Sequence, residues 1–163
     1  MTADILSAHL PGDRVRPLLE AAEDADGIAA FSESFVQGLD DERVRHTHFL
    51  VEDGGDVVAC AGLAEDGSAE LVVHPDFRRK GIGEALARKA RAESPDTGLW
   101  AHGNLAGAKA LAAKLGLSVS RELLVMGISA DDIPSGGPEL PGGFEALDLS
   151  LIHISEPTRQ EAI

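Results

Sequence analysis

A chain of 163 residues is the usual length of one domain, and 44% apolar residues are enough to fill a core. Acidic residues outnumber basic ones 28 to 14, and the formal charge of −14 disfavours nucleic acid or an anionic membrane as a general partner, so any anion must be captured locally. The one cysteine, Cys60, excludes an internal disulfide framework and fits a reducing compartment; with no basic lead and no run near the roughly 20 apolar residues of a membrane span, the expectation is a cytoplasmic protein.

The run ILSAH at 5–9 predicts a short first strand, and a helix follows over about 13–26, where Val15, Leu18, Leu19 and Ala22 share a face. FSESFVQGL at 31–39 predicts a second, shorter helix. The period then changes. HTHFLVED, DVVACAGLAED and SAELVVHP are apolar, β-branched runs separated by Gly-Gly-Asp and Asp-Gly-Ser, so three sequential antiparallel strands are expected. Cys60 reads as core filler within the second of them. Beyond Pro75 the spacing of Ile82, Leu86 and Ala90 is helical, with Arg88, Lys89 and Arg91 free to face water. A short strand GLWAH at 98–102, a helix over about 105–115 stopped by Gly116, and a strand over 118–129 complete the pattern. The order implies an α/β chain, more strictly α+β, with a mixed sheet and helices on its faces.

From about Ala130 the composition turns rich in Pro and Gly. Residues 1–130 are expected to form the domain and 131–143 a linker, while the strand-like run at 144–150 would begin a second domain. The last residues, 151–163, continue neither period and read as a tail of doubtful origin.

The stretch AELVVHPDFRRKGIGEALARKA, 69–90, carries the chemistry. A helix starting at about Gly81 exposes its first N–H groups and the positive end of its dipole, which together favour an anion. Gly81 and Gly83 leave that backbone open, and Arg78, Arg79 and Lys80 add charge at the rim. The arrangement suits a pyrophosphate. A Rossmann turn would need a third glycine at Leu86, and a P-loop would need Gly-Lys-Ser/Thr; neither is present.

Arg78-x-x-Gly81-x-Gly83 after a strand ending in Val-His-Pro resembles the coenzyme A pyrophosphate loop of the GNAT N-acetyltransferases. The segment 100–117, with Asn104 before the last helix and Leu-Gly-Leu after it, is similar to that family's second conserved region. Together AELVVHP, RRKGIG, WAHG, ALAAKLGL and RELLVM resemble more narrowly the first half of the tandem-GNAT acetyltransferases of mycothiol biosynthesis, over about 26–134. The resemblance implies the GNAT acyl-CoA N-acyltransferase fold, a second GNAT domain in a monomeric parent, and acetyl transfer from acetyl-CoA, with no metal, to the cysteinyl amine of desacetylmycothiol. By the same resemblance Leu71, Val72 and Val73 would run beside the pantetheine arm. Arg79, Lys80, Gly81, Ile82, Gly83 and Glu84 would take the pyrophosphate, with Arg78 and Asn104 also on the cofactor side. Glu33 matches an acceptor-binding carboxylate, although a solvated helix residue reads equally well.

Acid and base are less visible. The sequence has no tyrosine, and Ala112 stands where many family members place a general-acid tyrosine. Glu70 and His102 are the candidate substitutes, set against a bland reading of Glu70 as solvated and His102 as a helix cap. His46 and His48 share a strand face but lack further ligands at useful spacing, so a metal site is rejected. The alternatives to the enzyme are a catalytically degenerate GNAT binding module and a single-domain GNAT acting on another small amine.

Overall fold

The computed structural model describes residues 4–124, 129 and 142. The chain divides into two compact units, Met1–Ser120 and Arg121–Ile163, and every described element lies in the first. In chain order these are β1 (Ile5–Ala8), α1 (Gly12–Asp26), α2 (Glu33–Gly38), β2 (Thr47–Asp53), β3 (Asp56–Leu63), β4 (Ser68–Val73), α3 (Ile82–Glu93), β5 (Gly98–Leu99) and α4 (Ala106–Lys114). The expected linker, second-domain start and tail fall almost wholly outside the described residues.

One five-stranded sheet runs in the order β1-β2-β3-β4-β5. β2, β3 and β4 pair antiparallel as expected, because the turns carry the chemistry that hairpins need: Gly54 and Gly55 supply φ of 61° and 99° between β2 and β3; β1 adds antiparallel to the outer edge of β2. Between β3 and β4, Asp66 Oδ1 accepts hydrogen bonds from the Ser68 N–H at 2.8 Å and hydroxyl at 2.6 Å. The last pair, β4 with β5, is parallel.

Alternation along the strands sends side chains to two cores. Leu50, Cys60 and Val72 pack with Val15, Leu18 and Ala22 of α1 and Phe35 of α2, whereas Phe49, Ala61 and Ala69 pack with Ile82, Leu86 and Ala90 of α3. The register slips between Val51 and Glu52, leaving Val58 as an extra residue, so Val58 and Ala59 both join the α3 core. Cys60 is fully buried, and burial pushes its thiol up to about 12, which fits the reading as core filler.

Two expectations are corrected. The strand over 98–102 shrinks to Gly98–Leu99, and residues 118–124 form no strand, with Val119, Leu123 and Leu124 exposed. Residues 125–128 of that run lie outside the described residues. An apolar, β-branched pattern states only a capacity to pair, and a strand forms only where a neighbouring edge accepts its hydrogen bonds.

Candidate active site

The site begins where the sheet opens. β4 and β5 pair only at Ser68 with Gly98 and Ala69 with Leu99, and the Trp100 N–H donates to the Ala69 carbonyl at 2.9 Å before the strands part. Bonding direction alternates along β4: the Ser68 carbonyl and the His74 N–H bond to β3 or its flanks, while the Ala69 carbonyl bonds toward β5. The N–H groups of Leu71 and Val73 therefore face the side that β5 has left. Val72 points its side chain into the α1 core and is buried, so of the three pantetheine candidates it offers no side chain to the opening.

Past β4 the chain turns through Pro75–Phe77 into α3, with Arg79 at φ 63° and Gly81, the N-cap, at φ 86°. Ala85 N–H to the Gly81 carbonyl at 3.0 Å begins the helical ladder, so the N–H groups of Ile82, Gly83 and Glu84 precede it at the exposed turn. A Cβ at Gly81 would meet nothing within 4 Å, and one at Gly83 would stand in a space walled by Val73, Leu111 and Leu71. Ile82 is buried, whereas Arg79 and Lys80 are exposed, with Lys80 Nζ 4.6 Å from the Phe77 ring centroid.

Arg78 does not stand at the rim of that turn as the sequence implies. Its guanidinium is bound by Asp26 through two hydrogen bonds of 2.7 and 2.8 Å, and its Nε donates to the Val73 carbonyl at 3.0 Å. Asp26 is the last residue of α1, where a carboxylate opposes the helix dipole, and Arg78 neutralises it. This arginine braces α1 to the end of β4. An acid at a helix C-terminus was the one sequence signal of a partner.

The two catalytic candidates come together. Glu70 is 3% exposed rather than solvated; its Oε2 accepts the Ser32 N–H at 2.7 Å, and its Oε1 lies 3.1 Å from His102 Nε2. That approach is an ion pair when the imidazole is protonated, although its alignment does not make a hydrogen bond. The His102 side chain is partly exposed, while its Nε2, beside the carboxylate, is buried. Ser32, the N-cap of α2, is the partner that sequence reasoning missed. A second contact sets the α1–α2 segment against the same place: a Cβ on Gly103 would lie 3.1 Å from the Ile28 side chain. Glu33 follows Ser32 and is exposed at the start of α2, beside this cluster in sequence.

Against this geometry, the acetyltransferase (GNAT) domain family matches residues 45–116, from the approach to β2 through the glycine after α4. Residues 45–116 form a GNAT acetyltransferase domain. The chain is 41% identical to the mycothiol acetyltransferase of Corynebacterium diphtheriae, over 89% of this chain and 48% of that protein. It is 45% identical to that of Mycolicibacterium vanbaalenii, over 77% of this chain and 43% of that protein. The chain thus spans about half the length of the curated relatives it matches. Among solved structures, an aminoglycoside N-acetyltransferase in complex with CoA superposes with a TM-score of 0.53 at 14% identity, over 77% of this chain and 99% of that one. A ribosomal-protein-alanine N-acetyltransferase from Brucella melitensis gives 0.53 at 20% identity, over 78% and 100% of the two chains. These two neighbours share the fold.

Within the GNAT domain Asn104 sits in the turn His102–Asn104 at φ 50°, a left-handed conformation that asparagine tolerates, and its side chain is exposed. Ala112 lies in the last turn of α4, where its carbonyl accepts the Leu117 N–H at 2.9 Å. His46 and His48 share a face, with ring centroids 6.2 Å apart. No group of three or more ligating side chains occurs among the described residues. No helix among the described residues is long and apolar enough to cross a membrane.

Proposed function

We propose that this chain is the acetyl-CoA-binding half of an enzyme that transfers acetyl from acetyl-CoA to the cysteinyl amine of desacetylmycothiol, the last step of mycothiol biosynthesis. The observation that carries the reading is the opening beyond Ala69 and Leu99, with outward N–H groups on one wall and the glycine turn of α3 at its end. Identity above 40% to mycothiol acetyltransferases supports the acceptor, and their greater length supports a second GNAT domain in the parent. The residues present fit the co-substrate: Gly81 and Gly83 leave the turn clear, and Leu71 and Val73 give the pantetheine arm a strand edge.

In this reading the Leu71 or Val73 N–H donates to the thioester oxygen as charge gathers there. The amine nitrogen forms a bond to the acetyl carbon, the carbon–sulfur bond breaks, and the amine loses a proton while the departing thiolate gains one. His102 takes the proton, because it reaches the surface. Glu70, with Oε2 on Ser32 and Oε1 beside the imidazole, orients it and balances its charge. Glu33 and Asn104 would contact acceptor and cofactor respectively.

Calorimetry with acetyl-CoA and a thiol-release assay with desacetylmycothiol test the reading. Binding is expected, and any turnover should fall at least about a hundredfold in His102→Ala. Absence of tyrosine from the whole sequence favours a second reading, a non-catalytic binding half. Binding without turnover by this chain, beside turnover by the two-domain parent, would establish that second reading. Failure to bind acetyl-CoA would overturn both.

A further inference from the structure

Glu84 stands in the first turn of α3, directly after Gly83, and its carboxylate draws a cation from each of two helices. Its Oε1 accepts from Arg88 Nε at 3.1 Å and from an Arg88 terminal nitrogen at 2.9 Å, while its Oε2 pairs with Lys114 Nζ at the end of α4. Leu111 lies three residues before Lys114, on the same helical face, with its Cδ2 3.7 Å from the place of a Cβ on Gly83. Helix α4 therefore leans over the turn, and its terminal cation ends at the turn's mouth. The two cations, Lys114 first, hold the Glu84 carboxyl below its ordinary range, so it is ionised at neutral pH. An ionised carboxylate repels any phosphate arriving at the same N–H groups, and Arg78, just before the turn, is committed to Asp26.

Resting on the acetyl-CoA reading above, we propose that Lys114 is a phosphate-binding residue, held by Glu84 in the free protein and passed to the coenzyme's phosphate on binding. Arg88 makes the exchange feasible. It stays on Oε1, so Glu84 keeps a counter-charge when Lys114 leaves. Lys114 is exposed and long enough to change partner with little loss of packing. Glu84 then acts as a built-in competitor that lowers affinity by occupying the lysine.

A plain tether between α3 and α4 would use the same ion pair, and the two roles differ in sign. Calorimetric titration of the chain with coenzyme A at two salt concentrations separates them. Lys114→Gln is expected to weaken binding by up to about fivefold, the effect of one unit charge about 4 Å from a phosphate in water less what the broken Glu84 pair costs, and to flatten the salt dependence. Glu84→Gln is expected to tighten binding by a similar factor, and Lys114→Arg to stay near the parent. Lys114 is exposed and Glu84 partly so, and thermal melts confirm that each variant folds. Weaker or unchanged binding in Glu84→Gln, or unchanged binding in Lys114→Gln, overturns the assignment while leaving coenzyme binding intact. A parent chain that takes up no coenzyme A strikes the acetyl-CoA reading itself.

Discussion

Replacing Gly83 with alanine should move stability and binding in opposite directions. The added Cβ would stand 3.6 Å from Val73 Cγ2, 3.7 Å from Leu111 Cδ2 and 3.8 Å from Leu71 Cδ1, all ordinary contact distances. Gly83 lies inside the first turn of α3 and is absent from the positive-φ positions, so alanine fits its backbone as well as its surroundings. Stability should rise by up to about 1 kcal/mol, chiefly because the unfolded chain loses conformational freedom. The same methyl fills the space that the proposed pantetheine path shares with Leu71 and Val73. Forcing a ligand past an extra methyl in a packed slot costs about 1–3 kcal/mol, which is a loss of about fivefold to a hundredfold in affinity. Differential scanning calorimetry and titration with coenzyme A read the two effects. An alanine variant that binds as tightly as the parent would show that the path does not cross Gly83.

Arg78→Met should lower stability by about 1.5–3 kcal/mol, since it strips charged hydrogen bonds from Asp26, and a double-mutant cycle with Asp26→Asn should show strong coupling in denaturant unfolding. Leu86→Ala, in the fully buried centre of the α3 core, should cost about 2–5 kcal/mol in the same experiment. His48 gives a pH test: burial lowers its pKa to about 4 from an ordinary 6.5, so between those values the unfolded chain binds the extra proton. Stability from this group is therefore complete above pH 6.5 and lost as pH falls toward 4, by about 3 kcal/mol. His48→Leu should flatten that part of the profile in unfolding measured across pH, while the loss linked to Asp41, lowered from 3.8 to about 2, stays at lower pH.

The meander and the helices were legible because their signals are local. Paired positive-φ glycines fix the β2–β3 turn, and the spacing of Ile82, Leu86 and Ala90 fixes the buried face of α3. The open turn at Gly81 was legible for the same reason. What escaped depends on residues far apart in the chain. Arg78 is spent on a partner 52 residues earlier, and Glu70 is bonded to a backbone N–H 38 residues earlier. Charge near a glycine turn says nothing of which carboxylate reaches it first. The short β5 follows the same rule: its apolar run could have paired further, but β4 and β5 part after Ala69 and Leu99, and extended backbone gains little without an edge to bond.

A chain carrying −14 that holds a phosphate-rich ligand must set a local attraction against a general repulsion, and the two differ in range. Repulsion from surface charges farther from the turn than the Debye length, about 8 Å at physiological salt, is largely screened. The attraction comes from groups in direct reach: the N–H groups at the start of α3, Arg79 and Lys80. Those N–H groups carry no counter-ion and need no side-chain ordering, so they hold an anion without adding mobile charge. With Arg78 committed to Asp26 and Lys114 to Glu84, the free turn offers backbone first and side chains second. Selectivity then falls to shape. The glycines admit a chain of phosphates lying close along the backbone, while Glu84 disfavours anions that bring charge without that fit.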